Sequence, residues 1–388
     1  MRAAPVVSSL RNGFRVVAND EPESDRVAVL LMVRAGDADD PPDAPGAARV
    51  LGRILIEPAN HRSPGRFPLM AVEGDVRVVT EGDVTTFTAV TTRAQAATAI
   101  RLLAAFIETP VWNNTTLIRA VKRNGEEDRD EAPTDWQRDF EIWQSRLGLD
   151  VPAPPLPDLP PRDTLRSLFE SCYKAHSMVL CASGDLRGLN VSAEAENWFG
   201  GLPRVADTVV RRHRAHDTPH RNPSNTFAFA GYRAPAATDG LAPAMEVISA
   251  AMGLGKTSAI FRTLRDVEGT GYESGAVYPR RLAPGAIALF SRAPGQSAKV
   301  RDDLASIWKS AALDTRTDWG SARARAVQLY ASRHQTARDR AYWLAFWELA
   351  GNGAAYDAEY SAAMRSVADA ALTAAARRWL SGPPVAIP

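Results

Sequence analysis

The chain has 388 residues, with 46 Lys and Arg against 45 Asp and Glu and 45% hydrophobic residues. That length exceeds what one ordinary core sustains, so two domains are expected. The near-cancelling charge gives no reason to expect nucleic acid or an acidic membrane as the main partner. Two cysteines, Cys172 and Cys181, make no disulfide framework and have no metal-ligand spacing around them, so they read as buried apolar residues. No apolar run is long enough to span a bilayer. The stretch Met1 to Ser9 has one arginine and too short an apolar patch for a signal peptide. Cytoplasmic residence is the expectation, or the periplasm or secretion if an export signal has been trimmed away.

Along the chain, Asn12-Gly13 reads as a turn before a strand at Phe14–Ala18, followed by a second strand in which Val27, Val29, Leu31 and Val33 alternate with their neighbours. The stretch Gly46–Ile56 has helical spacing, with Val50, Leu51, Ile54 and Leu55 apolar. A hairpin is expected from Val76–Thr80 and Val84–Val90 around Glu81-Gly82-Asp83, then an amphipathic helix over Ala96–Ile107. Val151–Arg162 holds six prolines in twelve residues and reads as a stiff extended crossing, the alternative being a proline-motif ligand. The polar stretch Arg211–Ser224 is the candidate linker. Beyond it the pattern restarts with a strand at Phe227–Gly231, a helix at Ala244–Met252 and a strand at Ala286–Phe290, and helices follow at Ala337–Ala350 and Tyr360–Leu380. The fold class is α+β.

Several segments, in order, resemble the mitochondrial processing peptidase branch of the pitrilysin and insulinase superfamily of inverted zinc peptidases. They are Leu10–Val16 and Val33–Asp37 at the first strands, Gly46-Ala47-Ala48 ahead of a motif helix, and Tyr173–Asp185, a strand ending in Gly-Asp. In the second half, Met252–Phe261 followed by Leu264-Arg265 and Gly271-Tyr272 resembles the family's glycine-rich loop and its arginine and tyrosine. The resemblance implies two similar α/β-sandwich domains, each an antiparallel-rich sheet packed with helices, together one half of a clamshell. Their expected bounds are 1–210 and 226–388, with a linker at 211–225.

The metal motif itself is broken. A site of the H-x-x-E-H kind needs two neutral imidazoles on one helical face and a carboxylate to take a proton from bound water. Here Arg49 and Arg53 stand in the histidine positions and Gly52 in the glutamate position, and guanidiniums repel a cation rather than bind it. The family's third ligand, a glutamate, would fall near Ile118 or Arg119, and no carboxylate occurs from Thr115 to Gly125; Glu126 and Glu127 are the nearest. Arg49 and Arg53 are expected either to pair with carboxylates of their own surface or to bind acidic residues of a partner.

The resemblance therefore implies a zinc-less, noncatalytic subunit that pairs with a zinc-bearing homologue and completes its chamber. Gly253, Gly255, Arg265 and Tyr272 would serve as peptide-binding residues, and Arg265 and Tyr272 as candidates acting in trans on the scissile carbonyl. The competing readings are a scaffold with no part in proteolysis and an enzyme with relocated chemistry. Three other patterns lead elsewhere. Gly255-Lys256-Thr257 lacks the glycine a phosphate loop needs at position 250, where Ala250 stands, and it follows a helical pattern. His213, His216 and His220 have metal-compatible spacing but lie among arginines. Trp343 and Trp347 read as a core stripe.

Overall fold

The computed structural model describes residues 4–60, 72, 74–108, 110–130, 134–149, 160–204, 223–267, 273–311 and 317–387. They belong to two units, neither contiguous in sequence. The first draws on 1–132, 152–216 and 334–357, and the second on 133–151, 217–333 and 358–388. The chain opens the first unit with β1 (Val6–Ser9), β2 (Arg15–Asp20), β3 (Val27–Val33), α1 (Ala47–Asn60), β4 (Asp75–Glu81), β5 (Val84–Thr91), α2 (Ala96–Glu108) and α3 (Asn114–Asp130). It contributes α4 (Asp135–Arg146) to the second unit and resumes the first with α5 (Arg162–Cys172), β6 (Met178–Gly184) and α6 (Val191–Phe199). The second unit continues with β7 (Phe227–Ala234), α7 (Ala242–Gly253), a π-helix at Phe261–Val267, β8 (Ser274–Val277), β9 (Gly285–Arg292), α8 (Ser297–Ala311) and α9 (Trp319–Ser332). Then α10 (Ala337–Ala350) belongs to the first unit, and from residue 358 the second is completed by α11 (Tyr356–Ser366), α12 (Asp369–Trp379) and β10 (Val385–Ile387).

The first unit's sheet has the order β1-β2-β6-β3-β5-β4, antiparallel except that β2 and β6 run parallel. All seven residues of β3 are buried. Val27, Val29, Leu31 and Val33 share one core with α1 and α2. Their neighbours Ala28, Leu30 and Met32 point to the opposite face, as strand geometry requires, and there α10 lies across β3 and β6. Trp347 of that helix is fully buried.

The second unit's sheet is antiparallel, ordered β10-β7-β9-β8. Phe229 and Phe290 meet the aromatic side of α4, with Trp136 rings 5.8 and 5.5 Å away. On the other face Trp308 of α8 donates from Nε1 to the Ala230 carbonyl at 2.7 Å. Each sheet thus has helices on both faces, with one layer supplied by a distant part of the sequence.

The single helix expected over Tyr360–Leu380 is two, broken at Val367-Ala368. Ala368 is extended at ψ 151°, and Arg323 bridges the break by donating to the Val367 carbonyl and pairing with Asp369. Residues 205–222, which hold most of the expected linker with His213, His216 and His220, lie outside the described residues, as do 151–159 of the proline-rich stretch. Asp139 of α4 fastens the far end of that linker, accepting from Ser224 N at 2.7 Å and Phe227 N at 3.1 Å. Cys172 and Cys181 are buried free thiols. No helix among the described residues is long and apolar enough to cross a membrane.

Candidate functional site

Two places carry the expected site residues, α1 in the first unit and the loop after α7 in the second. Helix α1 begins on a buried carboxylate. Asp40 accepts from Gly46 N at 2.5 Å and Ala48 N at 2.7 Å, satisfying amides that a helix start leaves without partners. Gly46, at φ +86°, supplies the left-handed backbone that lets the chain turn into the helix. Burial, reinforced by neighbouring Asp37, pushes the Asp40 carboxyl up to about 7 against the pull of those amides and Arg49.

The motif positions follow. Arg49 Nη2 lies 3.5 Å from Oδ1 of Asp37, a carboxylate only 2% exposed. Position 52 points at the sheet: a Cβ there would stand 3.0 Å from Val78 Cγ2 and 3.4 Å from Thr80 Oγ1, so Gly52 is what lets α1 lie this close to β4. Arg53 is half-buried and Glu57 one turn on is buried. On α3, which packs against α1, Ile118 and Arg119, near which the third ligand is expected, are exposed. The side chains of Glu126 and Glu127 lie outside the described residues. A zinc ion does not fit this set. Two guanidiniums, one beside Asp37, take the place of lone-pair donors, and a side chain at position 52 would crowd Val78. Among the described residues no group of three or more His, Cys, Asp or Glu is placed to hold a metal ion.

The loop after α7 differs. Gly253, the last residue of the helix, is buried, and a Cβ on it would fall 2.0 Å from Ala276 N of β8. Its bareness is what brings the helix end onto the strand. Gly255 is exposed at φ +79°, and its carbonyl accepts from Ser258 N at 3.1 Å to close a turn. Lys256 and Thr257 are exposed, with Thr257 Oγ1 accepting from Arg325 Nη1 at 2.9 Å. Ser258 Oγ then accepts from Phe261 N at 3.3 Å where the π-helix starts; such widened turns are frequent at functional sites. Within it Leu264 is fully buried, while Arg265 is exposed with its guanidinium 5.7 Å from the Phe261 ring centre. Tyr272 and Gly271 lie outside the described residues. The structure thus sets Gly255 and Arg265 on one exposed segment and gives Gly253 a packing task.

A further element had no sequence signal. Glu246, in the middle of α7, meets Arg280 Nε at 2.7 Å, and both are buried. The Arg280 guanidinium sits 4.5 Å over the Tyr330 ring and 5.5 Å from that of Tyr360, whose hydroxyl donates to Glu246 at 3.3 Å. Arg280 precedes Arg281 in a stretch that reads as loop, so only the fold reveals that it anchors the helix bearing the glycine-rich loop.

Sequence profiles of known families match both places. The profile described as insulinase (peptidase family M16) covers residues 15–141, which contain α1 and α3, and the one described as the peptidase M16 inactive domain covers 161–319, which contain the loop. The chain belongs to the M16 peptidase family. Two solved structures align over 98% of it. One is a protease from Helicobacter pylori, at TM-score 0.76 and 13% identity over 97% of that chain. The other is a peptidase M16 inactive domain from Pseudomonas fluorescens, at TM-score 0.73 and 18% identity over 95% of that chain. Identities this low speak for shared fold alone. No curated protein matches in sequence. Within the M16 family this chain is a noncatalytic homologue.

Proposed function

We propose that the chain is the zinc-less subunit of a heterodimeric zinc metallopeptidase, completing the chamber of a zinc-bearing homologue. Gly255 and Arg265, with Gly253 shaping the helix end behind them and Tyr272 farther along, would offer backbone and side-chain donors to an extended peptide held by strand addition. The observation that carries this reading is the contrast between the two places. The motif helix is rebuilt around Arg49–Asp37 and a Gly52 seated on Val78, whereas Gly255, Lys256 and Arg265 stay exposed. A chain that had lost all contact with peptides would have no use for that exposed glycine-rich turn.

The test is reconstitution. Purified chain mixed with an intact H-x-x-E-H homologue from the same host should give chelator-sensitive peptidase activity that neither protein shows alone, and Arg265→Ala should lower kcat/KM in the mixture. Chelator-sensitive cleavage by this chain alone would overturn the proposal. The scaffold reading draws support from the packing role of Gly253, and it predicts a mixture whose activity is indifferent to Arg265→Ala and Tyr272→Phe.

A further inference from the structure

Resting on the peptide-binding reading of the glycine-rich loop, we infer that this loop selects peptide segments bearing carboxylates. Between Glu246 and Asp266 the sequence has no acidic residue, but it has Lys256, Arg262 and Arg265. All three are exposed. Among the described residues no carboxylate forms an ion pair with Lys256 or Arg262.

The π-helix arranges two of these cations. Residues four apart share a face in so wide a helix, which is why Arg265 lies over Phe261. Arg262 follows Phe261 directly and is exposed, so the same helix presents a second guanidinium to solvent. Lys256 adds a third charge at the exposed turn, next to the amides of Gly255 and Thr257. Arg325 reaches the same turn from α9, its Cδ within 3.3 Å of where a Cβ on Gly255 would stand and its Nη1 on Thr257 Oγ1 at 2.9 Å. Guanidiniums pair with carboxylates through parallel N–H bonds, and exposed backbone amides accept no cation. A neutral or basic segment would bring no carboxylate to Lys256 and Arg262, which have none among the described residues.

Fluorescence anisotropy with the full chain tests the inference. Three labelled peptides of one sequence are compared: one with an Asp/Glu stretch, one with Asn/Gln in its place, and the acidic one amidated at its carboxyl end. Two or three exposed ion pairs of ordinary strength give about a tenfold preference for the acidic peptide at low salt. That preference shrinks as salt screens it. If it survives amidation, the recognised carboxylates are those of side chains; if amidation abolishes it, the terminal carboxylate is the ligand. The double variant Lys256→Glu with Arg262→Glu should reverse the order in favour of a lysine-bearing peptide, a gain that a misfolded loop could not show. Equal binding of the acidic and amide peptides, unmoved by the double variant, would overturn the charge preference and leave the loop as a peptide contact. Binding of none of the peptides would remove the peptide contact itself.

Discussion

Helix α1 and the loop after α7 have parted ways. At α1 the expected motif positions are built into the fold: Arg49 lies 3.5 Å from Asp37, Asp40 holds the first amides of the helix, and Gly52 lies against Val78. At the loop the interior is fixed by Glu246, Arg280 and Gly253, and the outer residues remain exposed. A site that is only decaying loses its chemistry and keeps its cavity. Here the motif positions are packed, and on the function proposed above the first region is structural and the second is the place for recognition.

Breaking the support of the loop should have the largest effect. Arg280→Met leaves Glu246 as a buried carboxylate without its cation, and a loss of about 3–5 kcal/mol in urea unfolding is expected. Reinstalling the motif with Arg49→His, Gly52→Glu and Arg53→His sharpens the comparison from the other side. Overpacking against Val78 and the loss of Asp37's cation should together cost about 2–5 kcal/mol, and metal analysis should find no stoichiometric zinc, because α3 offers no ligand near Ile118. Gly253→Ala sets a methyl against Ala276 N and should cost roughly 1–3 kcal/mol while weakening peptide binding at the loop.

Taken per pH unit, the smallest effect is that of pH. Asp40 is raised from 3.8 to about 7 in the fold, so the unfolded chain binds fewer protons between those values and stability falls as pH rises through that window. The contribution is at most about 1.4 kcal/mol per pH unit. Asp40→Asn should therefore flatten the profile of stability against pH from about 4 to 7. A parallel profile for the variant would contradict the burial of that carboxyl.

Much of this was legible in the sequence, because local periodicity and packing agree there. The elements β3, α1, the β4–β5 hairpin and α2 follow from alternation and helical spacing, and the broken motif is visible as Arg49, Gly52 and Arg53. Trp343 and Trp347 were recognisable as core residues, and Trp347 is fully buried while Trp343 is partly so. What could not be read is where distant segments go. Nothing in Ala337–Ala350 says that it covers β3, and Trp136 and Phe140 give no hint of Phe229 as their neighbour. The partner of Arg49 lies twelve positions before it, in a turn of Asp37–Asp39, and the partner of Glu246 is one of two adjacent arginines in a loop. Gly253 and Gly255 look alike in sequence, yet one serves packing against β8 and the other an exposed turn.

The most direct measurement is zinc stoichiometry of the purified full-length chain, paired with a peptide hydrolysis assay on the same sample with and without chelator. Less than a tenth of a zinc per chain is expected, roughly the level of adventitious binding, with no chelator-sensitive cleavage. One zinc per chain held through dialysis, with cleavage that chelator abolishes, would contradict the reading of α1 as a refilled site.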